Sequence, residues 1–197
     1  MTYKKIPLTT SEPIWQRIAP SPEASETIDL QSEPQQCIAD LLAGRHFIDL
    51  SNFIAHALPM RESIWWSANV LELRWEDWNA LERDTLVQCK NWILEPHEAQ
   101  RRLIEQRLAT LGHGCAVGWL AQAVFWNGSD SITAVDQPVV LPVDYLYAKA
   151  VSGAVNTAAL KPEWQGYEQY YNDATAIAED IANGGRGTLK TSKQETA

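Results

Sequence analysis

The apolar residues of the chain are densest in its middle, from Cys115 to Trp126, where Gln122 is the only polar side chain. A helix on a protein surface carries an apolar stripe beside a polar face, whereas a helix that is apolar all round is covered on every side. The stretch is shorter than the roughly 20 apolar residues that cross a bilayer. It therefore predicts the central helix of a soluble bundle, with a C-terminal stop at Asn127 and Gly128.

Helical periods of three and four residues recur on both sides of this stretch. They predict helices at residues 35–43, 46–58, 59–71, 75–94, 97–111 and 163–183. The period places Arg101 on the outer, polar face of its helix. Small residues follow Pro142 in a further helix, which we expect to pack on the central one at Gly118 and Gly153. Because no strand alternation is seen, the predicted fold is all-α, a single compact bundle of about seven or eight helices.

The two ends of the chain differ from the helical domain, which is predicted to span residues 35–184. Residues 1–34 are rich in proline and lack an apolar period, which predicts an extended or partly disordered N-terminal arm. Within this arm, Trp15 and Ile18 form an apolar island that could dock on the domain or on a partner. Residues 185–197 are polar, which predicts a disordered tail.

The net charge of -9 argues against binding of a phosphate backbone, which requires clustered Lys and Arg, and weakly favours a basic partner. The three cysteines include no close pair, so no disulfide framework is predicted, and a reducing cytoplasm fits their apolar helical surroundings. Lys4 and Lys5 are not followed by an apolar segment, so we expect neither a secretion signal nor a membrane span. A cytoplasmic location is the resulting expectation.

The pair His113 and Cys115 is the strongest catalytic candidate. A cysteine at a helix N-terminus beside a histidine can have a lowered pKa and act as a nucleophile. A small core cysteine and a histidine that caps a turn fit the same pattern, so both alternatives stay open. No His or Cys spacing typical of a metal site occurs, and neither a metal nor a cofactor is expected. Asp49 lies near aromatic residues, where a structural role is the simpler interpretation.

The chain contains nine tryptophans, an unusual number for its length. Four of them fall on or inside helical stripes and are predicted to be core residues: Trp78, Trp92, Trp119 and Trp126. Tryptophan also anchors protein interfaces. The residues off the stripes or near helix ends, together with the apolar island of the arm, are the predicted partner-binding set: Trp15, Ile18, Trp66 and Trp164.

Separate blocks of the chain resemble an uncharacterised bacterial family. The blocks are the Leu-Pro-Met-Arg-Glu-Ser-Ile-Trp-Trp run of residues 58–66, the Gly-Trp to Phe-Trp run of 118–126, and the segments 151–155 and 181–184. The resemblance covers about residues 35–184. It implies no assigned activity, and members of that family are often found among type VI secretion genes of Gram-negative bacteria.

The resemblance implies a non-enzymatic adaptor or chaperone-like protein that binds a spike, tip or effector component of type VI secretion. One alternative is a small enzyme that uses Cys115 and His113, or a pocket beneath the loop of residues 128–142, which we expect to lie over the core as a lid. Another is a structural subunit of a homo-oligomer such as a homodimer. An adaptor should show an exposed apolar groove or Trp patch, and an enzyme a closed pocket with converging polar groups.

Overall fold

The structure, a computed structural model, describes residues 2–134 and 136–189. Within these ranges the chain forms ten α-helices and no strand, which confirms the all-α prediction. The helices are α1 (Glu12–Trp15), α2 (Pro22–Ser25), α3 (Pro34–Ala43), α4 (Phe47–Ala57), α5 (Met60–Glu72), α6 (Ala80–Leu94), α7 (Glu98–Leu111), α8 (Ala116–Phe125), α9 (Leu146–Ala158) and α10 (Tyr167–Ala182). Two 3₁₀ turns, Trp75–Asp77 and Trp164–Gly166, precede α6 and α10.

Helix α8 is the apolar centre of the bundle, with α5, α6, α7 and α9 packed around it. Only Trp119 of its residues is not buried. The predicted packing of α8 against α9 is confirmed, because Gly153 lies directly beneath the Trp119 ring, where a Cβ would be 3.0 Å from the indole. The predicted role of Gly118 in this contact is wrong. Gly118 faces the carbonyl oxygen of Gly112, which precedes α8.

The described part of the N-terminal arm lies against the helical domain. Tyr3 and Ile6 are buried, and the backbone N–H of Lys5 donates a hydrogen bond to the carbonyl oxygen of Ala182 at 2.9 Å. Trp15 is also buried, with its ring centroid 5.0 Å from that of Phe53 in α4. The arm therefore spans from the end of α10 to the face of α4.

The start of the predicted tail lies on α5. The indole N–H of Trp65 donates to the carbonyl oxygen of Arg186 at 2.9 Å, and the Asp180 carboxylate accepts from the N–H of Gly187 at 2.8 Å. The rest of the tail prediction, residues 190–197, lies outside the described residues. Among the described residues, no helix has the length and apolar character that crossing a membrane requires.

Arg101 is completely buried, so its predicted place on the outer face of α7 is wrong. Its guanidinium donates to the carbonyl oxygens of Phe125 at 2.9 Å and Ser131 at 2.8 Å, and it pairs with Glu98. These bonds fix the end of α8 and the loop that follows it. The expected lid over the core is also wrong at residues 139–141, whose apolar side chains are exposed.

Candidate functional site

An open groove of about 860 Å³ lies between the N-terminal arm and the helical domain. One wall is the arm at residues 19–23, and the base is the first two turns of α4 with Arg45 and His46 before it. The other wall comes from residues 159–160 after α9 and from Trp164, while Tyr167 and Tyr171 of α10 lie against Phe47 at the base. Segments far apart in sequence thus build a single concave surface.

Three large apolar side chains line this groove and face solvent. The exposed fractions are 64% for Ile48, 62% for Leu160 and 66% for Trp164. Single exposed apolar residues are common on proteins, but a cluster beside a concavity is typical of a binding surface. Of the four tryptophan and isoleucine residues predicted to bind a partner, Trp164 is the one that the structure places in the groove.

Ile48 and Leu160 were missed by the sequence interpretation, although each carries a local signal. Ile48 is apolar yet lies off the stripe of α4 that faces the core. Leu160 follows the last turn of α9 and precedes Lys161, so nothing in the helical period requires it to be apolar. Both residues could have been identified from the sequence as apolar residues at positions where the helical packing requires none.

The floor of the groove is aromatic. Phe47 stacks on Tyr171 with ring centroids 4.7 Å apart and an interplanar angle of 4°, and Tyr167 meets Phe47 edge-on at 5.6 Å. The hydroxyl of Tyr171 donates to the side-chain oxygen of Asn156 at 2.8 Å. Burial raises the pKa of Tyr171 to about 12, so this phenol is neutral at physiological pH. These rings therefore add apolar surface to the groove and no charge of their own.

Polar bonds hold the arm and the start of α10 in place around this floor. The buried carboxylate of Asp49 accepts hydrogen bonds from the backbone N–H and the hydroxyl of Ser21, each at 2.8 Å. Arg45 donates to the hydroxyl of Tyr167 at 3.0 Å and forms an ion pair with Glu168. Asp49 thus has a structural role, as expected, since it fixes the arm. Its hydrogen bonds to Ser21 were not predicted from the sequence.

Trp66 is not at the surface, which corrects its prediction as a partner-binding residue. Only 1% of it is exposed, and its indole N–H donates to the carbonyl oxygen of Ala174 in α10 at 2.8 Å. The physical reason is that α5 is covered on two sides, by α8 and α9 and by α10. Its neighbour Trp65 is only partly buried.

The two arm residues of the predicted partner-binding set lie apart from the groove. Trp15 is buried against Phe53 and is therefore a core residue, which corrects its assignment to a partner surface. Ile18 is partly buried and packs on the core, directly before the arm residues that form the groove wall. The arm thus uses its apolar island to dock on its own domain, which brings residues 19–23 to the groove.

His113 and Cys115 do not form a nucleophile–base pair in the described residues. The Nε2 atom of His113 is hydrogen-bonded to the side-chain oxygen of Gln122 at 2.9 Å, while the Cys115 sulfur accepts from the N–H of Gly118 at 3.3 Å. Burial, with a contribution from Glu82, raises the pKa of the Cys115 thiol. A cysteine nucleophile requires the opposite shift and a base in contact with the sulfur.

The groove combines apolar side chains with polar lining groups. Of the polar groups, Asp49 and Arg45 are engaged with Ser21, Tyr167 and Glu168, and Glu23, His46 and Asn52 also line the groove. Among the described residues, no three His, Cys, Asp or Glu side chains are grouped so that they could hold a metal ion. The arrangement is suited to recognition of an apolar surface.

Comparison with known proteins adds the family of the chain. No curated protein and no solved structure matches it. The sequence pattern of a family described as "Family of unknown function (DUF6931)" matches residues 37–182. The match includes the base of the groove and the wall with Leu160 and Trp164, whereas the wall at residues 19–23 lies outside it. The chain belongs to DUF6931, a family of unknown function.

Proposed function

We propose that the protein is a non-enzymatic adaptor or chaperone-like protein that binds another protein in the groove between the arm and α4. The observation that carries this proposal is the exposure of Trp164, Ile48 and Leu160 beside an aromatic floor. Tryptophan in a concave, apolar setting is the residue type that dominates binding energy at protein interfaces. An exposed apolar groove is also the feature that separates an adaptor from an enzyme with a closed polar pocket.

The resemblance to a family found among type VI secretion genes suggests the partner class. On this proposal the partner is a spike, tip or effector component, and binding takes place in the cytoplasm before secretion. The groove suits such a role because it is open to solvent, so a partner can enter and leave without unfolding of the bundle.

The enzyme alternative has less support. The thiol of Cys115 has a raised pKa, and the ring of His113 is bonded to Gln122. The homo-oligomer alternative requires two chains of net charge -9 to associate, and the mutual repulsion of such copies opposes it.

The test is affinity co-purification of the tagged protein from its native host, followed by mass spectrometry. Trp164→Ala should lose a partner that the unchanged protein retains, with no change in thermal stability because the side chain is mainly exposed. Leu94→Ala is the matched control, since Leu94 is 63% exposed at the end of α6, away from the groove. Recovery of the protein alone, or of the same partner by Trp164→Ala, would contradict the proposal.

A further inference from the structure

We propose that the groove binds a short linear segment of the partner that carries large apolar side chains next to Lys or Arg. The inference rests on the proposed function, and it adds the chemistry of the bound segment. It follows from the size of the groove, from the charges around it and from the charge of the whole chain.

The size of the groove fits a segment better than the flat face of a folded domain. Clefts that enclose a compact ligand have volumes of roughly 300–1,000 Å³. The groove has about 860 Å³ and is bordered by two walls, with the Phe47–Tyr171 stack as its floor. A few large side chains of one chain segment can fill such a space, in the way that amphipathic peptides place anchor residues in apolar grooves.

The charges around the groove favour a basic segment. Among the described lining residues and their direct chain neighbours there are four carboxylates and two cations, a net charge of -2. The carboxylates are Glu23, Asp49, Glu163 and Glu168, and the cations are Arg45 and Lys161.

Two of these carboxylates remain available to a partner. Arg45 is paired with Glu168, and Asp49 accepts both of its hydrogen bonds from Ser21. Among the described residues Glu23 of the arm wall and Glu163, the chain neighbour of Trp164, have no ion-pair partner and are exposed. Within the same described ranges the cation Lys161 is also exposed without an ion-pair partner, so these three unpaired groups carry a net charge of -1. A Lys or Arg beside an apolar anchor would meet one of these two carboxylates.

The same charges argue against other occupants. A second copy of the chain would bring another net charge of -9. Its exposed apolar run at residues 139–143 is flanked by Asp136 and Asp144, which would approach the carboxylates of the groove. Like charges placed together at an interface oppose association. Anionic lipids and nucleic acids meet the same repulsion.

The test is selection of a phage-displayed library of random linear peptides on the full-length protein, with counter-selection on the Trp164→Ala variant. The expected result is enrichment of peptides that contain Trp, Phe, Leu or Ile beside Lys or Arg. Enrichment of acidic or uncharged apolar peptides would overturn the inference and leave the proposed function intact. Failure to enrich any peptide that depends on Trp164, while a partner is still captured through Trp164, would also overturn the inference alone.

Charge variants then test the two carboxylates with an enriched peptide in a fluorescence polarisation assay. The double change Glu23→Gln with Glu163→Gln should weaken binding by about threefold to tenfold at low salt, as expected for two exposed ion pairs. The effect should shrink at high salt. The double change Asp136→Asn with Asp144→Asn removes the same charge elsewhere and should leave affinity unchanged. Equal losses in both double variants would overturn the inference, because they would show a response to total charge.

Discussion

The carboxylate of Asp49 and the backbone N–H and hydroxyl of Ser21 are joined by two hydrogen bonds, each 2.8 Å long. Ser21 in turn caps α2, since its hydroxyl oxygen accepts from the N–H of Ala24 at 3.1 Å. A buried carboxylate is costly unless hydrogen bonds replace the water it loses. The arm supplies those bonds to Asp49, and Asp49 in return fixes the arm wall of the groove.

Asp49→Asn is therefore expected to loosen the arm. An amide oxygen can accept from the backbone N–H of Ser21, but the NH₂ group would then face the hydroxyl oxygen, and the hydroxyl proton would lose Asp49 as its acceptor. We expect the free energy of unfolding to fall by about 1–3 kcal/mol, as for other buried groups left without a partner. Amide hydrogen exchange at residues 19–25 should become faster, as measured by mass spectrometry.

Ser21→Ala tests the other side of the same contact. It removes the hydroxyl bond to Asp49 and the cap on the N–H of Ala24 but leaves the backbone N–H bonded to Asp49, so we expect a loss of about 1–2 kcal/mol. Equal and unchanged exchange at residues 19–25 in both variants would show that Asp49 does not hold the arm.

The buried Arg101 provides a second test. Arg101→Met has a side chain of similar length but removes the donor to the carbonyl oxygen of Phe125. It leaves the carbonyl oxygen of Ser131 and the carboxylate of Glu98 with only their bonds to Arg102. We expect a loss of about 3 kcal/mol in urea unfolding, as is typical when one partner of a buried ion pair is removed. The carboxylate is half exposed, so the loss should not reach higher values.

Arg107→Met serves as its comparison on the same helix. Arg107 is about one-third exposed and makes an ion pair with Asp84 at 2.6 Å. A pair of this kind contributes less than about 1 kcal/mol. If the Arg107 and Arg101 variants lost equal stability, burial would not explain the role of Arg101.

The helical period predicted α8 and α9 well because both are apolar on nearly all sides, and small residues such as Gly153 allow them to come close. The period placed Trp66 outside the buried face of its helix, because a period identifies a single buried face. Helix α5 has two buried faces, and the second is covered by α10, more than a hundred residues later in the chain. The prediction that Arg101 lies on an outer face was wrong for a related reason, since its hydrogen-bond acceptors lie in α8 and the following loop.

The groove was only partly predictable. Trp164 could be found because it lies at the start of a helix, outside an apolar period. The bond between Asp49 and Ser21 left no local pattern, since it joins residues 28 positions apart and depends on how the arm folds back. The apolar side chain of Ile18 indicated that the arm could dock on the domain, but it did not indicate on which surface. Tertiary contacts of this kind do not follow from periodicity.

The stability of the protein should depend on pH through His56. This ring is completely buried, and burial, with a smaller effect of Arg17 and Lys149, lowers its pKa below the ordinary 6.5. Its Nδ1 is hydrogen-bonded to the carbonyl oxygen of Asn52 at 2.8 Å, while Nε2 has no partner among the described residues. A proton added at Nε2 would give the ring a positive charge, and the new N–H would find no hydrogen-bond acceptor among the described residues.

The unfolded chain therefore binds a proton at His56 at a higher pH than the folded chain. Stability is unaffected well above pH 6.5 and falls as the pH drops below it, by at most about 1.4 kcal/mol per pH unit. Urea unfolding between pH about 7.5 and 5.5 should show this slope, and His56→Asn should reduce it. His113→Asn changes an exposed ring and should leave the slope as it is. The same slope in the His56 variant would assign the effect to other groups.

A substitution at Gly118 tests the close contact between this residue and the backbone of Gly112, which precedes the central helix. A Cβ at this position would lie 1.9 Å from the carbonyl oxygen of Gly112, a distance that requires the backbone to move. Gly118→Ala is expected to lose about 1–3 kcal/mol of unfolding free energy, as overpacked positions do. Gly114→Ala is the matched control because a Cβ there meets nothing within 4 Å, and its effect should stay within about 0.5 kcal/mol. If Gly118→Ala is equally harmless, the carbonyl of Gly112 does not pack against Gly118 in the first turn of α8. This contact would then not fix the position of Cys115 at the start of that helix.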